Sequence, residues 1–233
     1  MIKHSPLSQG ARAKLKVVDQ RLERLYRRAE QVLGNMSDPL DEAIYIILSL
    51  QTNLKRLRTT WASLRANFPR LEDLEKATPK RIARALQTGG LQHQKALTIK
   101  RLLRQVRAQT GGLSLDHLRH AGDEEAERFL LCLPGLSWKS ARCVMLYSLS
   151  KCTFPVDVNT FRIAKRLGIV PGDAVYRRKS LHDALQHAVP PERRKPLHVN
   201  LVVHGQRVCL PVKPRCTECA VAHVCDSYRS RSG

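Results

Sequence analysis

The chain has 233 residues, and its 41 lysines and arginines outnumber its 20 aspartates and glutamates for a formal net charge of +21. That length holds one large domain or two small ones, and that charge favours a polyanionic partner, nucleic acid ahead of a ribosomal or membrane surface. No run of about 18 apolar residues predicts a membrane span, residues 1–10 lack the apolar centre of a secretory signal, and seven cysteines, four of them clustered, suit a reducing compartment better than a disulfide framework.

Apolar residues recur at intervals of three and four almost throughout, which predicts an all-α protein of ten or more short helices. Residues 1–18 carry no acid, as in a mitochondrial presequence, and read as a disordered arm. The arm runs into a basic helix over 12–33 with Leu15, Val18, Leu22, Leu25 and Val32 on its apolar side. Asp38-Pro39 supplies a cap and a first-turn proline for a helix buried through Ile44, Ile46, Ile47 and Leu50. Further helices are expected over 54–67, from Thr78-Pro79 to Gly89-Gly90, and over 92–108, the last with Lys100, Arg104 and Arg107 on one face. Asp123 opens a helix that stops at Leu133-Pro134-Gly135; another covers 138–150, and three or four more precede the clustered cysteines. Cys132, Cys143 and Cys152 read as small buried apolar residues.

Pro134-Gly135 forces a tight turn between two helical patterns. The N–H groups at the start of the second helix have no carbonyl four residues back, and such a helix start suits a phosphate. A plain helix–helix connection accounts for the turn equally well. Eighteen residues beyond Lys139 stands Asp157, whose simplest role is to cap the helix that follows, as that of Lys139 is to be solvated. Near the C-terminus, Cys209, Cys216, Cys219 and Cys225 are spaced C-x6-C-x2-C-x5-C. Four thiolates so close together can converge on one metal centre, zinc or iron–sulfur by spacing alone, and Lys213 and Arg215 make the loop between the first two positive.

Leu133-Pro134-Gly135-Leu136-Ser137-Trp138-Lys139-Ser140-Ala141 resembles a helix-hairpin-helix motif of the form L-P-G-hydrophobic-G-x-K-[ST]-A, with Ser137 in place of its second glycine. Leu48-Ser49-Leu50-Gln51-Thr52, Gly90-Leu91-Gln92-His93-Gln94-Lys95-Ala96, Val156-Asp157, His204-Gly205 and the four cysteines follow in the same order as in the endonuclease III family of DNA glycosylases. The resemblance covers roughly 35–228, and 136–170 is also similar to the plant 5-methylcytosine glycosylases. It implies two all-α halves: residues 37–149 as a six-helix barrel carrying the hairpin, and 1–36 with 150–233 as a helical half holding a [4Fe-4S] cluster on the four cysteines. DNA would lie across the cleft between them. It implies that Gln51 and Leu91 are wedges that fill the gap left by a flipped base. Lys139 would attack C1′ of the sugar, Asp157 would stabilise the charge developing there, and the amides and side chains of Gly135, Leu136, Ser137 and Trp138, with His93, Asn159, Lys213 and Arg215, would contact DNA. Such a chain would be a monomer acting on double-stranded DNA with a damaged base or abasic site. It would work in the bacterial cytoplasm or in a eukaryotic nucleus or mitochondrion.

Five positions besides Ser137 depart from the family. Val158-Asn159 replaces Thr-His, Leu131 is apolar where relatives are polar, Trp138 stands at an often basic position, and His93 replaces an asparagine. They surround the expected lesion pocket and predict a narrower or different lesion range than that of a general oxidised-pyrimidine enzyme. Two other functions fit parts of the pattern: a monofunctional mismatch or alkylated-base glycosylase using water, and a non-catalytic DNA-binding iron–sulfur protein. The first usually lacks the hairpin lysine, and the second leaves Lys139 and Asp157 without a purpose.

Overall fold

The computed structural model describes residues 7–27 and 35–232. Among them there is no strand; twelve α-helices run α1 (Gln9–Tyr26), α2 (Pro39–Ser49), α3 (Leu54–Asn67), α4 (Leu71–Lys76), α5 (Pro79–Ala85), α6 (Gln92–Thr110), α7 (Asp123–Cys132), α8 (Trp138–Tyr147), α9 (Val158–Arg166), α10 (Lys179–Ala188), α11 (Pro191–Arg207) and α12 (Asp226–Ser232). The chain divides into two compact units, one from 34–151 and one from 1–33 together with 152–233.

In the 34–151 unit, α2 is the central helix. Asp38 caps it by accepting from the Leu40 and Asp41 N–H groups, and Pro39 fills its first turn. Leu40, Ala43, Ile44, Ile46, Ile47 and Leu48 are all buried, each fully buried large aliphatic contributing about 1.5–3 kcal/mol. They pack with Leu57, Leu64, Ile82, Ile99, Leu103, Leu130 and Val144 from α3 and α5–α8. Leu50 ends the helix and is 45% exposed, so the buried stripe stops two residues earlier than the sequence suggested. Of the basic face expected on α6, Lys100 bonds the Ala77 carbonyl at 2.8 Å and Arg107 pairs with Glu75 at 2.7 Å, which ties the helix to the α4–α5 connection.

In the second unit, α1 buries Leu15, Val18 and Leu22 against α11 and the strandless segment around Phe154 and Val156. Leu25 is 53% exposed, because the spacing that carries it off the buried stripe outweighs its hydrophobicity. Helix already begins at Gln9, capped by Ser8, so most of the arm expected over 1–18 is helical. The remainder of that arm at 1–6 and the continuation of α1 past 27, with Val32, lie outside the described residues. Of the three isolated cysteines only Cys143 is buried; Cys132 and Cys152 are exposed.

Candidate active site and cysteine pocket

The Pro134-Gly135 turn joins α7 to α8 as expected. Gly135 has φ +87°, and a Cβ there would lie 2.4 Å from Thr98 Cγ2 and 3.2 Å from Ile47 Cδ1, so both its backbone and its close approach to α2 and α6 demand glycine. Leu133 is buried and Leu136 packs onto the same core. Arg142 on α8, almost wholly buried, pairs with Glu127 on α7 at 2.6 Å and fastens the two arms of the hairpin. Ser137 stands at the N-cap of α8 without capping it through its side chain; its hydroxyl lies 3.3 Å from that of Ser140. Trp138 and Lys139 open the helix, both partly buried.

Glu42 on α2 is an unexpected neighbour of Lys139. It is fully buried, and accepts from Asn35 Nδ2 at 2.5 Å and from the Met36 N–H at 2.7 Å. Burial pushes its carboxyl up to about 7, against the pull of those hydrogen bonds and of the Lys139 charge. A carboxyl hovering between charge states therefore sits within electrostatic reach of the hairpin amine.

Gln51 and Leu91 occupy two tight connections of the same unit. Both are exposed, Leu91 to 42%, and both adopt the left-handed region, with φ of +53° and +51°, a conformation costing a non-glycine residue about 1–2 kcal/mol. His93, exposed, lies in the first turn of α6 beside Leu91.

Asp157, in the other unit, caps α9 by accepting from the Thr160 N–H at 2.7 Å. Its second oxygen accepts from Asn159 Nδ2 at 2.8 Å, and Asn159 Oδ1 in turn accepts from Arg162 at 2.8 Å. The same guanidinium donates to the Gly205 and Cys209 carbonyls, each at 2.8 Å. Asn159, expected at the DNA surface, thus has both ends of its amide engaged within the protein. A Cβ on Gly205 would lie 2.5 Å from that of Asn159, so glycine lets α11 come up against this network. Val158, by contrast, is 60% exposed.

Cys209, Cys216, Cys219 and Cys225 line one pocket with Arg166, Pro214, Arg215 and Tyr228. Among the described residues no three metal-binding side chains are grouped closely enough for a single ion, which would draw four sulfurs to about 2.3 Å from one point. Arg166 donates to Cys209 Sγ at 3.2 Å, the Cys225 thiol donates to the Arg166 carbonyl at 3.2 Å, and His204 Nε2 lies 3.4 Å from Cys219 Sγ. Burial drives the His204 imidazole down to about 4, so it is neutral, with Tyr26 hydroxyl at 3.1 Å from its other nitrogen. Burial also pushes the Cys219 and Cys225 thiols up. Lys213, at φ +52°, and Arg215, which also lines the pocket, are exposed on the loop between Cys209 and Cys216.

Comparison with known proteins gives the class of this chain. The family model of the HhH-GPD superfamily of base excision DNA repair proteins matches residues 44–191, and the chain belongs to that superfamily. Endonuclease III of Thermotoga maritima is 28% identical over 195 residues, 84% of this chain and 86% of that protein. The DNA glycosylase/AP lyase ROS1 of Arabidopsis thaliana is 30% identical over 169 residues, 66% of this chain. This chain spans only 12% of ROS1 and 57% of a shorter Arabidopsis thaliana relative that is 35% identical to it. In fold it is similar to the protein of a non-covalent endonuclease III–DNA complex, with a TM-score of 0.81 at 20% identity over 95% of this chain and 98% of that one.

The sequence missed Glu42 and the burial of Lys95. A glutamate amid the apolar run of α2 was the available signal for the first, since a lone acid in a buried helix needs a reason.

Proposed function

We propose that this protein is a base-excision-repair DNA glycosylase with abasic-site lyase activity. The observation that carries it is the placement of Lys139, on the opening turn of α8 directly after the Gly135 turn and beside the near-neutral carboxyl of Glu42. With the target nucleotide turned out of the stack, the neutral amine attacks C1′. The glycosidic bond breaks, and the base leaves with its electron pair. Loss of the amine protons and ring opening give a Schiff base, and removal of a C2′ proton expels the 3′ phosphate by β-elimination. The attacking amine must first lose its proton, which an ordinary lysine near pKa 10.4 holds at neutral pH. The family resemblance gives Asp157, whose carboxylate is held by the Thr160 amide and Asn159, the role of stabilising positive charge on the sugar. Gln51 and Leu91 fill the vacated stack, and Lys213 and Arg215 add phosphate contacts.

The four thiols suit a [4Fe-4S] cluster better than a lone ion. They line one pocket in the order and spacing that the family resemblance associates with such a cluster, and Arg166 and His204 stand by to hydrogen-bond to ligating sulfurs. Such a cluster supplies folding energy and a redox-active centre; the excision chemistry requires neither redox change nor Lewis acid. The lesion range is proposed to be narrower than that of a general oxidised-pyrimidine enzyme, because Val158 presents an exposed methyl pair and Leu131 packs into the core.

Borohydride trapping on duplexes with thymine glycol, dihydrouracil, a mismatch or an abasic site tests this. Wild-type protein is expected to form a covalent adduct on abasic DNA and on a subset of the lesions, and Lys139→Gln to form none while still binding DNA. Undiminished strand cleavage by Lys139→Gln rejects the assignment; equal excision of every oxidised pyrimidine rejects the narrow range.

A further inference from the structure

Lys95 is an oddity in its own unit. It lies on the second turn of α6, buried to 4% exposure, and the acceptors around its ammonium are all uncharged. It donates to the Leu48 carbonyl at 2.8 Å, to Thr52 Oγ1 at 2.7 Å and to the Gly89 carbonyl at 3.0 Å. Three donors meet three acceptors, so the group is satisfied, yet burying an ammonium without a counter-charge is costly. Desolvation accordingly draws its pKa down. A methionine would fill the same space without that penalty, so packing alone does not account for a lysine here.

The acceptors explain it. Leu48 and Thr52 bracket the turn that carries Gln51, and Gly89 leads into the connection that carries Leu91. Thr52 completes the link by donating its own hydroxyl proton to the Gly89 carbonyl at 2.7 Å. A second tie holds the Leu91 connection to α3: Thr60 and Thr88 share a hydrogen bond at 2.9 Å, and a Cβ on Gly89 would sit 2.8 Å from Thr60 Oγ1. The two exposed residues so joined are those with left-handed backbones, whose cost needs surrounding structure to hold it.

We propose that Lys95 is a positioning residue that locks the Gln51 turn and the Leu91 connection into one rigid two-pronged insert for the DNA stack. This rests on the glycosylase reading above. Filling a gap of one base pair by two side chains from separate loops requires both tips at fixed separation before DNA arrives; otherwise binding must order them first. The ammonium supplies that order, since three directed bonds to two loops restrain them in a way that an apolar contact does not.

The test uses a duplex with 2-aminopurine opposite an abasic-site analogue, whose fluorescence rises when its stacking is broken, together with single-turnover cleavage of a true abasic site. Thr52→Val keeps the shape but removes the hydroxyl that accepts from Lys95 and donates to Gly89, leaving Lys95 an unmatched donor in the clamp; Lys95→Met removes the clamp altogether. For Thr52→Val the fluorescence rise is expected to shrink and cleavage per borohydride-trappable molecule to fall about tenfold to a hundredfold, the scale of an ångström-level misplacement, with KM changed less than kcat. In a Leu91→Ala background Thr52→Val is expected to add little, because both act through the same prong. A lower melting temperature with an unchanged fluorescence rise and unchanged rate per active molecule overturns the clamp, as does full additivity with Leu91→Ala. If Lys95→Met does not fold, Thr52→Val decides alone. A wild-type protein that neither traps nor cuts abasic DNA would instead sink the enzyme reading, and the fluorescence comparison would still judge the insert.

Discussion

Asn159 donates from Nδ2 to Asp157 Oδ2 at 2.8 Å while Arg162 holds its Oδ1 at 2.8 Å. The aspartate is therefore oriented from both sides, by the Thr160 amide of its own helix and by a side chain that is itself oriented. Asn159→Ala is expected to lower single-turnover excision about tenfold to a hundredfold through a misaimed carboxylate, leaving DNA affinity little changed. Rate and dissociation constant measured on the same duplex check this; parallel loss of both would show that Asn159 contacts DNA directly.

Glu42 makes stability depend on pH with an unusual sign. A carboxyl raised from 4.5 to about 7 on folding binds protons that the unfolded chain has released. Its contribution therefore weakens as pH climbs from about 4.5 to about 7 and is level above that, by at most about 3 kcal/mol. His204, driven down to about 4, works in the opposite direction over part of the same range. The informative quantity is thus the stability of Glu42→Gln minus that of wild type, which is expected to rise between pH 5 and 7 and then flatten. Denaturant titrations at each pH measure it. Lys139→Gln removes a charge that favours the ionised form, so it is expected to move the Glu42 titration upward.

Gly135→Ala is expected to cost about 2–4 kcal/mol, from a left-handed backbone and a clash with Thr98. Adding Thr98→Ala relieves the nearest contact and should return part of that loss, leaving the backbone share of about 1 kcal/mol or more. Thermal melts of the single and double variants separate the two.

Cys219→Ala is expected to abolish any visible cluster absorbance and to loosen the unit built from 1–33 and 152–233. Amide exchange should quicken in α9 and α11 while α2–α8 stay protected. Loss of protection in both units alike would show that the thiol pocket supports more than its own core.

Much of the fold was legible because helix punctuation is local. Asp38-Pro39, Thr78-Pro79 and the Pro134-Gly135 stop each carry their meaning within a few residues, and α3 runs over the residues that the spacing predicted. Leu25 and Leu50 misled because hydrophobicity does not say which side of a helix finds a partner. The hairpin lysine, the aspartate and the four cysteines were legible as motif spacing. The roles of Glu42, Lys95 and Arg162 were not, since each depends on acceptors or charges from segments distant in sequence, such as Gly205 and Cys209 for Arg162.

The unit made from both chain ends fixes an order of events at the ribosome. Residues 34–151 hold a self-sufficient core, so that stretch can close while synthesis continues at about 5–20 residues per second. The first helix emerges earlier but must wait, its Leu15, Val18 and Leu22 bare, until α11 is made. The thiols follow α11. Premature termination between 151 and the start of α11 would thus leave a folded hairpin and a dangling amphipathic first helix, a product that chaperones and proteases would meet as a half-finished protein rather than a random one.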